Sequence, residues 1–187
     1  MNVRTIGVAA AIIIVVGFIA AYAAISLGLM PANADSRPNP LERWAARTSL
    51  DATLRRDATT AADPLPVTDA NLGAGLKLYA ANCMVCHGAS DGKPSNIAQG
   101  LYQHPPQLGD HGVEDDPEGE TLWKVQHGIR FTGMPAFGGK LTDVQLWQLA
   151  MFLKHMDSLP PAVAAEWKKQ PSQAMKPVRT DQTTRVR

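Results

Sequence analysis

Cysteine is scarce in this sequence: its 187 residues include only Cys83 and Cys86. A framework of several disulfides is therefore excluded, and these two residues must act together in whatever chemistry they perform. The alternation of apolar and polar residues that marks half-buried strands is also lacking, so the chain is predicted to be all-α. The formal net charge is only +1 and basic residues form no stripe, so no nucleic-acid partner is expected.

The first part of the chain lacks charge altogether. Residues 6–30 contain no Asp, Glu, Lys or Arg and consist mainly of small and aliphatic residues. About 20 apolar residues cross a bilayer core of about 30 Å, so residues 1–30 are expected to form a single-pass transmembrane anchor. Arg4 lies before this run, and the next basic residue is Arg37. This pattern predicts an inner (cytoplasmic) membrane protein whose main part faces the periplasm.

A cleaved secretory signal is the alternative interpretation of the same segment. Ala32-Asn33-Ala34 is a suitable small-residue cleavage site just before Asp35. The apolar core of a signal is usually about 7 to 15 residues long, and this one is longer, which favours the anchor. Either interpretation places the remainder of the chain outside the cytoplasm.

Beyond this segment the sequence predicts a linker, a domain and a tail. The linker covers 31–66 and includes a short peripheral helix on the domain or lipid surface, with a weak one-sided stripe of Leu41, Trp44, Thr48 and Leu54. The domain covers 67–160, where acidic residues outnumber basic ones. In 161–187 the balance reverses and apolar residues are few, so a basic, mostly disordered tail is expected.

Three helices are predicted within the domain, over residues 69–82, over 117–127 and from 142 to before Pro160. Thr68 or Asp69 would cap the first, and Thr142 with Gln145 forms a capping box at the start of the third. The loops between them are too long for an ordinary small helical domain. A large apolar cofactor would give such loops a surface to pack on.

The cysteines lie in Cys83-Met84-Val85-Cys86-His87, the attachment pattern of c-type haem. Two thiols at this spacing can add to the two vinyl groups on one edge of a porphyrin, and the adjacent histidine can reach the iron. We therefore expect one haem c, attached through Cys83 and Cys86, with His87 as an iron ligand. The alternatives are a dithiol redox site, which usually accompanies a βαβ unit, a zinc site lacking further ligands, and a chance match.

Met134 is the predicted second axial ligand of the iron. Gly133 permits a tight turn before it and Pro135 stiffens the chain after it, which suits a thioether that must be placed against a flat ring. Ligation by histidine and methionine fills the iron and favours electron transfer. No comparable loop surrounds the rival candidates His104, His111 and His127.

Residues from about 67 to 160 resemble the class I, mitochondrial-like monohaem c-type cytochromes in their bacterial membrane-anchored form. The resemblance rests on the segment 78–88, on the segment 133–137 and on a closing helix that contains Leu146-Trp147. It implies a cytochrome c fold of three to five helices around one covalent haem. It further implies a crossing of the first and last helices, at Gly75 and Tyr79 against Trp147 and Ala150.

The resemblance also implies residues that surround the cofactor. A proline carbonyl, from Pro105 or Pro106, would hold the ring nitrogen of His87 that does not bind iron. Trp123 and Arg130 would lie near the haem propionates.

The function implied is electron transport rather than catalysis. The carrier would shuttle single electrons in a respiratory chain, from a membrane dehydrogenase or quinol-oxidising complex to a terminal oxidase or reductase, while attached to the lipid bilayer. One alternative is a dedicated haem subunit of a single respiratory enzyme. Another is a haem enzyme such as a peroxidase, or a ligand sensor, in which Met134 can be displaced.

Overall fold

The computed structural model describes residues 2–109 and 112–170. The chain divides into two compact units, residues 1–36 and residues 37 onward. Every regular element in the described ranges is a helix, as predicted; the bounds are α1 Val3–Ser26, α2 Pro40–Asp57, α3 Asp69–Asn82, α4 Met84–His87, α5 Asn96–Gly100, α6 Glu118–His127, α7 Asp143–Lys154 and α8 Pro161–Lys168.

The first unit consists mainly of α1, an uninterrupted apolar helix of 24 residues. No other helix in the described part of the chain is both long and apolar enough to cross a bilayer. A signal sequence near an N-terminus satisfies the same criteria. The helix is therefore compatible with both interpretations of the segment.

The three predicted domain helices are confirmed, and short-range signals explain their ends. Thr68, rather than Asp69, caps α3: its side chain accepts a hydrogen bond from the backbone N–H of Asn71. Thr142 and Gln145 form the predicted capping box at α7. These caps pair backbone N–H groups that a helix start leaves without partners.

The core forms where α3 crosses α7. A β-carbon added to Gly75 would overlap the backbone carbonyl of Gln148 and lie 2.6 Å from the Cβ of Phe152. The predicted crossing at Gly75 is thus confirmed. The atoms of α7 nearest to this glycine belong to Gln148 and Phe152, however, and not to the predicted Trp147 and Ala150.

Helix α8 covers one side of this crossing. Trp167 is 6% exposed. Its ring centroid lies 5.4 Å from that of Tyr79 and 5.7 Å from that of Phe152, and both ring pairs are near perpendicular. Val163 is also buried. The expectation of a mostly disordered tail is therefore wrong for the residues of α8, because two apolar side chains anchor them. Residues 171–187 lie outside the described ranges.

Helix α2 is present where the sequence predicts it, but its apolar residues differ in exposure. Leu54 is buried, whereas Leu41 and Trp44 are 69% and 64% exposed. The phenol of Tyr102 donates a hydrogen bond to the Glu42 carboxylate over 2.6 Å. Much of the predicted linker therefore belongs to the second compact unit.

The long segment between α4 and α6 is held by side chains as well as by α5. The Lys154 ammonium group at the end of α7 donates to the backbone carbonyls of Glu114 and Asp116. Lys124 of α6 pairs with the Asp116 carboxylate at 2.8 Å. These bonds tie residues 114–116 to α6 and α7.

Candidate haem site

The motif residues lie on a single helical turn that continues from α3. The N–H of Cys83 donates to the carbonyl of Tyr79 over 2.8 Å, and the N–H of His87 donates to the carbonyl of Cys83 over 2.8 Å. Residues three and four apart share one helix face, so Cys86 and His87 both stand beside Cys83. Gly88 ends the turn at φ 78°, a conformation that favours glycine.

The imidazole of His87 is fixed by one hydrogen bond. Its Nδ1 lies 3.0 Å from the carbonyl oxygen of Pro106. A carbonyl can only accept, so Nδ1 carries the proton and the lone pair of the ring is on Nε2. Burial lowers the pKa of His87, although the bond to Pro106 opposes this. The ring is thus a neutral, oriented ligand, and Pro106 rather than Pro105 supplies the carbonyl.

Two side chains hold the motif turn through hydrogen bonds that the sequence did not indicate. The Tyr79 hydroxyl lies 3.0 Å from the carbonyl of His87 and 2.7 Å from that of Gly88, and can donate to either. The Ser95 hydroxyl, which is buried, donates to the carbonyl of Val85 over 2.5 Å and caps α5. Neither residue belongs to the motif, so only the fold reveals these bonds.

The two cysteines are free thiols and half-buried. Burial, with a smaller contribution from Cys86, raises the pKa of the Cys83 thiol to about 12. A thiol in this environment remains protonated and is held beside the apolar core.

The loop that carries Met134 is folded on itself. The Met134 carbonyl accepts from the N–H of Ile129 over 3.2 Å, and its N–H donates to the Thr132 hydroxyl over 3.1 Å. Gly128, at φ 66°, has no room for a β-carbon, which would lie 2.7 Å from the Met134 carbonyl oxygen. Met134 is half-buried and packs against the same core as Cys83.

This loop also contacts the chain that follows the motif. A β-carbon on Gly133 would lie 2.8 Å from a methyl carbon of Leu101, just beyond α5. The fold therefore brings the methionine loop against the segment between Cys86 and Pro106. Phe131 at its tip has φ 62° and is 93% exposed.

The rival histidines have other surroundings. His104 is exposed, and the exposed His127 ring lies against Trp123 with 4.8 Å between ring centroids. His111 is outside the described residues. Among the residues described, no group of three or more His, Cys, Asp and Glu could hold a metal ion. The part of the chain that is described thus offers no zinc site of this kind.

The donor set fits a haem group. One neutral imidazole presents Nε2, two unpaired thiols stand on the same turn, and Cys83 packs against the apolar core. Haem iron in c-type proteins takes a histidine nitrogen on one side. The helical fold and this turn together define the class of c-type cytochromes.

Comparison with known proteins agrees with this class. The family described as cytochrome c oxidase, cbb3-type, subunit III matches residues 70–153. Cytochrome c6 of Parathermosynechococcus lividus is 31% identical over 84 residues, which are 45% of this chain and 88% of that protein. No solved structure gives a significant match. The chain belongs to the monohaem c-type cytochromes. Membership of this family implies covalently bound haem c and transfer of electrons.

Proposed function

We propose that this chain is a membrane-anchored, periplasmic electron carrier whose haem is attached through Cys83 and Cys86 and whose iron is bound by His87 and Met134. When bound, the haem iron accepts and releases one electron. The bond between His87 Nδ1 and Pro106 supports the proposal most strongly, because it leaves Nε2 free to bind metal. Such bonds orient a ligating imidazole and raise its basicity.

The protein supplies position and an apolar environment. The Tyr79 hydroxyl and the Ser95 hydroxyl hold the motif turn, so the His87 ring is placed before the cofactor binds. The bonds within the methionine loop limit where the Met134 sulfur can lie. A ligand set that is rigid in both oxidation states moves little when the iron charge changes, which favours rapid electron transfer.

The absorption spectrum of the oxidised, haem-loaded chain tests the ligand set. Methionine bound to ferric haem gives a weak long-wavelength band, which should be present in the wild type and absent in Met134→Ala. The reduction potential of the variant should fall, since methionine ligation raises it. Met156→Leu, a change at a buried methionine of the core, is the control and should keep both properties. A wild-type spectrum without the band would instead favour an open or bis-histidine iron, as in an enzyme or sensor.

The position of the chain in the membrane needs a separate test. Determination of the N-terminal residue of the mature protein distinguishes the anchor from the signal. Retention of residues 1–34 with extraction only by detergent supports the anchor, whereas a chain beginning at Asp35 shows cleavage.

A second candidate is a haem subunit of one respiratory enzyme, and the family match favours it. In that case the chain should leave the membrane in mild detergent at fixed stoichiometry with other subunits.

For the carrier, membrane dehydrogenases or quinol-oxidising complexes are the proposed donors and terminal oxidases or reductases the acceptors. Reduction of the purified chain by isolated membranes, followed by its reoxidation, would support the carrier.

A further inference from the structure

One side-chain amide joins the motif turn to the chain segment opposite it. Nε2 of Gln107 donates to the carbonyl of Cys86 over 3.0 Å and to the carbonyl of Pro105 over 3.1 Å. Both partners are carbonyl oxygens, which can only accept, so the NH₂ end of the amide must face them. The orientation of Gln107 is therefore determined by its partners.

This amide replaces backbone donors that the segment lacks. Pro105 and Pro106 have no N–H groups, so neither residue can form a backbone bond to the motif turn as a donor. Leu108, two residues after Pro106, donates its N–H to the carbonyl of His87 over 2.9 Å. Pro106 is joined to the turn through its carbonyl, which accepts from Nδ1 of His87, and the side chain of Gln107 adds a second link, between Pro105 and Cys86.

The acceptor end of the same amide has no partner. Oε1 of Gln107 is buried and unbonded among the described residues. A β-carbon on Gly88 would lie only 2.6 Å from it, so the glycine leaves the space that the amide occupies. A buried acceptor without a partner destabilises a fold, and such groups in native proteins call for an explanation beyond stability.

We propose that Gln107 is a positioning residue for His87. Its two bonds hold the proline pair at a fixed distance from the motif turn, and so fix the Pro106 carbonyl against Nδ1 of His87. A firm Nδ1–H···O bond increases electron donation from Nε2 to the iron, which stabilises the oxidised state. Gln107 thus lowers the reduction potential and keeps the ring in one orientation; this inference rests on the proposed role of His87.

The test uses the haem-loaded full chain and the variant Gln107→Met, which has similar length but no donor. At a fixed potential, the ratio of oxidised to reduced protein should fall by about threefold or more; tenfold corresponds to about 59 mV for one electron. In the reduced, ¹⁵N-labelled protein, the Nδ1–H proton of His87 should exchange with solvent faster than in the wild type.

Gln99→Met is the matched control. Gln99 also donates its amide to a proline carbonyl, that of Pro94, over 3.2 Å, but this bond lies outside the His87 turn. Both readouts should remain at the wild-type values in this variant. If Gln107→Met does not mature, Gln107→Asn keeps the amide on a shorter side chain that cannot reach both carbonyls, and the same two changes are expected.

The inference is overturned if the potential and the Nδ1–H exchange rate of the Gln107 variants equal those of the wild type. A change of potential with unchanged exchange overturns it as well, since the effect would not pass through the His87 bond. Failure of the Met134 assignment would be recognised separately, because the wild type itself would then lack the methionine band.

Discussion

The carbonyl oxygen of Gln148 occupies the place where a side chain at position 75 would begin. Glycine at this point lets the backbones of α3 and α7 touch, and the motif turn continues directly from α3. The helix crossing therefore determines where the motif turn stands relative to the rest of the core.

Substitution of Gly75 by Ala should destabilise the haem-loaded protein by about 1 to 3 kcal/mol, the usual cost of overpacking. Gly73→Ala is the control on the same helix, because a β-carbon there meets no atom within 4 Å. It should stabilise by about 0.5 to 1 kcal/mol, as expected for replacing glycine within a helix. Denaturant unfolding measures both; equal effects of the two changes would contradict the close crossing.

Tyr79→Phe should reduce the free energy of unfolding by about 1 to 3 kcal/mol, since the Gly88 carbonyl loses its buried donor. Burial raises the pKa of Tyr79 far above its ordinary value, so the phenol remains a donor and the loss should not vary with pH between 5 and 9. Tyr102→Phe removes an exposed bond to Glu42 and should have a much smaller effect. A loss in Tyr79→Phe that disappears at one end of this pH range would contradict the assignment.

Trp167→Ala should destabilise the protein by about 3 to 5 kcal/mol, the range for removing a buried aromatic side chain. An isolated helix of eight residues is not stable in water, so α8 should also become open to proteolysis. Lys168→Ala, at an exposed position of the same helix, is the control. Unchanged unfolding and unchanged cleavage of the tryptophan variant would show that α8 contributes nothing to the core.

Asp63 should give the stability of the protein a pH dependence of defined sign. One of its carboxylate oxygens accepts from the N–H of Leu65 over 2.8 Å, while the other is buried without a partner among the described residues. Burial, with a smaller contribution from Glu118, raises the pKa of Asp63. The folded state then binds the proton more tightly than the unfolded state, so stability decreases as the pH rises from the ordinary aspartate value through the raised one.

Asp63→Asn keeps the acceptor for the N–H of Leu65 and removes the decrease in stability with rising pH. The variant should therefore be more stable than the wild type at pH 7 and lose that advantage at acidic pH, as measured by denaturant unfolding at several pH values. Asp57→Asn is a control of opposite sign, since the bond from Arg56 lowers the pKa of Asp57. An Asp63 variant less stable than the wild type at pH 7 would contradict the prediction.

Features that depend on neighbours in sequence could be predicted. The N-terminal caps of α3 and α7 and the motif turn each involve residues within about five positions, so the sequence contains the whole signal. Met134 was also predicted as a ligand from its immediate neighbours, Gly133 and Pro135, and its bond to iron stays a prediction. The crossing at Gly75 was predicted from a family resemblance, whereas the contact of Gly75 with Gln148 is visible only in the structure.

Features that depend on tertiary contact could not be predicted. Helix α8 carries only two buried residues, Val163 and Trp167, and the ring partners of Trp167 lie on α3 and α7. The sequence does not show which residues of the α2 stripe the domain covers, and in the structure Leu54 is buried whereas Leu41 and Trp44 are exposed. Nothing in the local sequence distinguished Gln107, since its bonds span 21 residues to Cys86.

The placement of α2 within the second compact unit affects how the domain could meet its partners. The segment between α1 and α2 is 13 residues long, and a flexible segment of that length has a root-mean-square reach of about 20 Å. The predicted linker, 31–66, is 36 residues long and would have a reach of about 30 Å if all of it were flexible. With α1 as the proposed anchor, a shorter tether raises the effective concentration of the haem domain near the membrane, and it restricts exchange to complexes that are immediate neighbours.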